Sequence, residues 1–207
     1  MGAATPAAAD PIPALERGAP DTVAVWRALD STPRGLAASR RELHRRVRPG
    51  SAARILAEQE MIAGALEATL REMPETALRA PSGEEDWNGA QAFAHATAAR
   101  RFLAAWAAMS ASGDWPAVDP PRVLPGIPGP PDASREELGR LLAKSRSSMA
   151  RSAVLIAGHE TQPCPLEHPL VGRLRCGEWL MWTGVHDLMH LEQLRAITAA
   201  FVDASPS

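Results

Sequence analysis

The stretch HDLMHLEQL, His186 to Leu194, carries two of the chain's six histidines four residues apart, with Gln193 three residues further on. Positions four apart on a helix share one face, one turn from each other. His186 and His190 can therefore aim at one point. A neutral imidazole is a good ligand for zinc, nickel or iron(II). Two such ligands hold a divalent ion weakly, so a third is needed from elsewhere. His95 is the candidate. It sits midway along a helical stretch among Ala92, Ala94, Ala96, Ala98 and Ala99, small neighbours that admit a second helix. Three histidines plus water leave an open coordination position, the arrangement of catalytic rather than structural sites.

A histidine pair at this spacing is, by itself, often a polar detail of a helix interior. The surroundings argue for more. Trp179, Met181, Trp182, Val185, Leu188 and Met189 make the first half of this helix apolar on nearly all sides. Such a helix is central and buried, and a buried histidine needs a partner. Gln193 and Asp187 are placed to hydrogen-bond the imidazoles from behind and orient them. For Asp187, a solvated helix position is an equally good reading.

The rest of the chain must bring His95 to that pair. Asp21 opens a short helix, DTVAVWRALD, and LAASRRELHRRV makes a second, so residues 21–50 form an N-terminal helical arm behind a loose Ala/Pro-rich tail, 1–20. Ser51 caps a longer helix with Ile55, Ile62, Leu66 and Met73 along one side, which Pro74 ends. ETALRAPSGEED follows as a loop. The second main helix begins at WNGAQ and carries His95. A proline-rich crossover, Trp115 to Pro131, leads to Ser134, which caps the third helix with Glu136 and Glu137 in its first turn. A loop of that length is often functional, shaping the mouth of a pocket, or else a simple crossover. HETQPCPLEHPLVG reads as a loop, and the fourth helix runs from about Arg175 to Val202. Nothing reads as a strand. The fold class is all-α, a four-helix bundle over 51–207 with an N-terminal helical extension.

Composition narrows the function. The formal net charge is −2, with acidic and basic residues interleaved, which argues against nucleic acid as the main partner. One lysine among many arginines reads as codon bias, not a recognition surface. No run approaches the ~20 apolar residues of a membrane span, and the N-terminus lacks the basic start and apolar run of a secretory signal. Two cysteines, Cys164 and Cys176, make no disulfide framework. A cytoplasmic location is the expectation. There is no phosphate-binding glycine loop, no GxSxG elbow, and no pair of Glu-x-x-His helices for a di-iron site.

Two longer stretches resemble the DinB-like (DNA-damage-inducible protein B) family. DWNGAQAFAHATAARRFLAAW is similar to the start of that family's second helix, a tryptophan and a polar turn followed by a histidine about eight residues on. HPLVGRLRCGEWLMWTGVHDLMHLEQL is similar to its last helix: His-Pro and Gly, a Trp, then H-x-x-x-H and Gln. The resemblance spans roughly residues 51–203. It implies a four-helix bundle with a metal-binding triad, here His95, His186 and His190. The long arm and the long crossover depart from the minimal family domain. A weaker echo at RPGSAARILAEQEMI would put Glu58 near the histidine position, at the cost of one helix too many between the motifs. Glu58 and Glu60 are otherwise solvent-facing charges, with an inward ligand or base as the alternative.

Other residues attract less. His44, among arginines, reads as exposed. His159, Cys164 and His168 share a loop, where Cys-x-x-x-His lacks the second cluster a structural metal site needs. Cys176 reads as a packing residue. The family includes transferases and isomerases that use low-molecular-weight bacterial thiols, along with metal-dependent hydrolases. The resemblance thus implies a divalent metal, zinc or nickel, that activates a water or a small thiol against a small-molecule substrate. It leaves open a homodimer. The alternative is a non-catalytic bundle that binds a metal or a ligand.

Overall fold

Asn88 and Ser134 each start a long helix through the same reciprocal cap. Asn88 Oδ1 accepts from the Gln91 N–H at 2.9 Å, and Gln91 Oε1 accepts from the Asn88 N–H at 3.1 Å. Ser134 Oγ accepts from the Glu137 N–H at 3.2 Å, and the Glu137 carboxylate accepts from the Ser134 N–H at 2.7 Å. Both caps satisfy donors that a first helical turn leaves unpaired. The computed structural model describes residues 10–30, 32–81, 86–117, 119–121, 123 and 126–202. Its elements are α1 (Ile12–Gly18), α2 (Pro20–Arg27), α3 (Pro33–Arg46), α4 (Ala52–Glu72), α5 (Glu75–Arg79), α6 (Gly89–Ala111), α7 (Arg135–Ile156), β1 (Pro163–His168), β2 (Gly172–Arg175) and α8 (Cys176–Val202).

The fold is all-α in its main body, a bundle of α4, α6, α7 and α8. Both α4 and α6 pack on α7 and on α8, while α7 and α8 touch little. The cyclic order is therefore α4–α7–α6–α8, with α7 and α8 on a diagonal. Helices α1 to α3 form the N-terminal extension, and α2 lies against α8. Residues 12–18, expected within a loose tail, form α1, with Ile12 and Leu15 buried. The first nine residues of that tail lie outside the described residues. Ser51 does not cap α4 with its hydroxyl. That Oγ accepts from the Arg48 N–H, and the Ala52 N–H goes instead to the Glu160 carboxylate, each at 3.2 Å. The expected loop after Pro74 begins with α5.

The expected absence of strands fails as well. Residues 163–175 form an antiparallel hairpin, pairing Glu167 with Arg173 and His168 with Gly172. Gly172 takes a positive φ of 69° at the turn, a conformation that side chains disfavour. In β1 the side chains of Cys164, Leu166 and His168 face in, and Pro163, Pro165 and Glu167 face out.

The interior is not uniformly apolar. One apolar cluster gathers Ile55, Leu103, Met149, Trp179 and Trp182, and another gathers Ile62, Phe93, Leu138, Leu188 and Leu191. Between them every bundle helix contributes a buried polar side chain: Gln59 from α4, Thr97 and Arg100 from α6, Ser145 from α7, and Asp187 from α8. His95 and His186 sit at the level of this seam.

Candidate functional site

Three helical turns converge at the seam. Phe93, Ala94 and Ala96 are buried on α6 and fix its rotation, leaving His95 half-buried toward α8. On α8, Val185, Asp187 and Leu188 are buried, and His186 and His190 follow each other on the adjoining face. His186 Nε2 lies 3.3 Å from His95 Nε2 and 3.2 Å from His190 Nε2. The three candidate ligands thus meet through the same ring nitrogen. Among the described residues, they are the group of histidine, cysteine or carboxylate atoms close enough together to hold a metal ion.

Two of the rings are held from behind. The Ile127 carbonyl accepts from His95 Nδ1 at 2.6 Å, and Gln193 Oε1 accepts from His190 Nδ1 at 2.7 Å. A proton on each Nδ1 leaves each Nε2 as a bare lone pair facing the others. His186 Nδ1 is buried and has no protein partner among the described residues. Burial holds all three rings below the ordinary histidine range, His190 down to about 4, and the neighbouring imidazoles add to the effect at His186. All three are neutral at neutral pH, the form that ligates metals.

The crossover helps to build this site. Ile127 supplies the carbonyl behind His95, and Val123 and the segment 126–130 line the adjacent cavity. Gly129 makes the approach feasible. Its N–H donates to Gln91 O at 3.2 Å, and a Cβ there would lie 2.4 Å from the Ala94 Cβ. Trp115, at the start of the crossover, turns away and packs against Trp106 at 4.9 Å between ring centroids. The cavity encloses about 980 Å³, and Trp87, Phe102, Leu141, Trp182 and Met189 contribute to its mostly apolar wall.

The other sequence candidates are elsewhere. Asp187 neither orients a histidine nor meets solvent. It is fully buried and ion-paired with the equally buried Arg100. Burial pushes its carboxyl up to about 6 against the pull of Arg100. Glu58 is not solvent-facing. Its buried carboxylate accepts from Thr22 N–H at 2.9 Å and Thr22 Oγ1 at 2.7 Å, tying α2 to α4. Glu60 pairs with Arg146 at 2.8 Å. His44 is exposed, and His159 is exposed beside Gln162. Cys164 and Cys176 are buried free thiols. His168 stands apart from the triad yet lines the same cavity, as does Trp87. Alternation along β1 was the signal for His168, and two prolines in that strand mask it.

The sequence model of the DinB superfamily matches residues 58–194, more than half of the chain and nearly all of the bundle. The chain belongs to the DinB superfamily. The matched span contains all three converging histidines and stops short of the arm, α1 to α3. No curated protein and no solved structure gave a match. The DinB assignment therefore carries fold and family, and the chemistry rests on the site itself.

Proposed function

We propose that the chain is a divalent-metal-dependent enzyme acting on a small molecule, with zinc or nickel on His95, His186 and His190. One observation carries this reading, the convergence of three Nε2 atoms. In a tetrahedral site with metal–nitrogen bonds of about 2.05 Å, ligand nitrogens lie roughly 3.3 Å apart. The separations from His186 Nε2 to the other two, 3.2 and 3.3 Å, match that edge. With His95 and His190 both held as Nε2 acceptors, at least two lone pairs converge on His186 Nε2. A cation resolves that repulsion, whereas a single proton on His186 can serve only part of it.

When bound, such an ion makes a water or a low-molecular-weight thiol acidic enough to react near neutral pH. The chain's residues do the rest. Ile127 O and Gln193 fix two imidazole tautomers and their ring directions. The apolar wall keeps bulk water from the reacting group. The carboxylates of Glu58, Glu60 and Asp187 are engaged with Thr22, Arg146 and Arg100 and supply no base here. The reading is thus activation of the nucleophile by the ion, as a thiol transferase or isomerase, or as a hydrolase.

The test is elemental analysis of untagged protein beside a His186→Ala, His190→Ala double variant. About one equivalent of metal in the parent, lost in the variant, is the expected result. No metal in either protein, even after incubation with zinc or nickel, overturns the reading.

A further inference from the structure

The cavity holds a fourth histidine that metal binding does not use. His168 ends β1 facing inward, and its Nδ1 accepts the backbone N–H groups of Leu170 at 3.1 Å and Val171 at 3.4 Å. A ring nitrogen that accepts carries no proton, so the neutral ring bears its proton on Nε2. Trp179 and Trp182 pack against the ring at centroid distances of 5.9 and 5.0 Å and hold its plane. Burial lowers its pKa to about 4, so the ring stays neutral at neutral pH. His168 lines the cavity, and among the described residues Nε2 has no hydrogen-bond partner. The result is a rigid N–H donor fixed beside an apolar space.

The rest of the wall says what sort of molecule fits. Among the described residues seven large apolar side chains are exposed, and four of them, Phe102, Ile127, Leu170 and Met189, border this cavity. Exposed apolar surface concentrated around a concave site marks a ligand mouth. Trp182, against which His168 packs, precedes His186 by four residues on α8. His168 therefore packs against the α8 residue one helical turn before the triad's His186, on the same cavity.

We propose that the cavity takes a predominantly apolar small molecule bearing a carbonyl or carboxylate oxygen, and that His168 Nε2–H is the positioning donor for that oxygen. The oxygen sits beside Trp182, on the cavity wall that the triad shares. This deepens the metalloenzyme reading by naming its substrate class. The donor and the apolar wall are built by the chain alone, so the proposal can be tested with metal stripped away.

The probes are two fluorescent dyes offered to the chelator-treated full chain. Prodan carries a ketone whose emission shifts to the blue when its oxygen loses a hydrogen bond. Aminoanthracene has a similar apolar body and no acceptor oxygen. Prodan is expected to bind the parent. Replacing His168→Phe is expected to weaken Prodan roughly two- to tenfold, the range of one hydrogen bond, and to blue-shift its bound emission. Aminoanthracene is expected to bind both proteins alike. His168→Gln, which retains a donor of similar reach, is expected to recover part of the Prodan signal. The proposal is overturned if Prodan does not bind the parent, or if the variants leave its affinity and emission unchanged. Equal loss of both dyes in both variants also overturns it, because His168 then only supports the wall. Metal content decides the metalloenzyme reading separately.

Discussion

At the scale of single residues, the three histidines differ in what stands behind them, and that difference is measurable. Gln193 holds His190 in the tautomer that points a lone pair inward. Gln193→Leu is expected to leave one equivalent of metal while lowering affinity about 10- to 100-fold, the usual effect of removing a ligand's orienting partner. Competition against a chelating dye reads this directly, and unchanged affinity would show that Gln193 orients nothing. The same rings set a pH dependence for the metal-free protein. His168 and His190 each fall to about 4 in the folded state, against about 6.5 when unfolded. Between those values the unfolded chain binds more protons, so stability is full above about pH 6.5 and is lost as pH falls toward 4. Asp187, raised to about 6, works the other way over part of that range, but it is one group against several histidines. Urea midpoints of chelated protein are thus expected to drop between pH 7 and 4.5, and less so in His190→Leu. At this scale the convergence of His186 and His190 was legible because helical spacing is local. The partners of Asp187 and Glu58 were not. Arg100 and Thr22 are 87 and 36 residues away in the chain, and nothing local to either carboxylate announces them.

Secondary-structure elements meet at the buried polar seam, and the Arg100–Asp187 pair is what ties α6 to α8 there. Both side chains are wholly shielded, and Arg100 Nε and Nη2 and Asp187 Oδ1 have no partner among the described residues. A buried pair with polar atoms to spare contributes little net stability, yet breaking one side strands a charge. Arg100→Met alone is expected to cost about 3–5 kcal/mol, while Arg100→Met with Asp187→Leu is expected to fall close to the parent. Denaturant unfolding of the four proteins of this cycle measures it, and additive losses would show that the two groups do not act as a pair. The long helices were readable because they carry caps and periodicity within their own sequence, as at Asn88–Gln91 and Ser134–Glu137. The hairpin was not, because Pro163 and Pro165 argue against a strand when taken one residue at a time. The pairing is irregular between Pro163 and Glu167, where a missing ladder N–H is tolerated, and β1 still buries Cys164, Leu166 and His168 on one side. That alternation is what delivers a fourth histidine to the cavity. Likewise α5 is a single short helix, ETALR, whose helix-forming residues pack on α6 and α8 and were hidden by the turn-like residues that follow it.

Across the whole molecule, the site joins distant parts of the chain: the α6 residue His95, the crossover carbonyl of Ile127, and the pair on α8. The arm, α1 to α3, is held together by Asp21 with Arg46 and by Ser39 on the Val25 carbonyl at 3.0 Å, and its polar anchors run to α4, through Thr22 on Glu58 and Asp21 with Arg54. A ligand that bridges α6 and α8 should therefore stabilise the bundle without tightening the arm. Binding only to the folded state adds RT ln(1 + [L]/Kd), about 2.7 kcal/mol when free metal is at 100 Kd. For a chain of this length, with about 2–4 °C per kcal/mol, that corresponds to roughly 5–10 °C in Tm. Zinc or nickel is expected to produce that rise in chelated, tag-free parent and none in His186→Ala. Hydrogen exchange locates the effect. Added metal is expected to slow amides in the first half of α6, in 126–130 and in the middle of α8, while α1 to α3 change only by the global amount. A Tm rise of equal size in the variant would assign the binding to surface groups. Slowing spread evenly over arm and bundle would mean that the arm and the site unfold as one unit, and the seam would then be the middle of a single cooperative structure that includes α1 to α3.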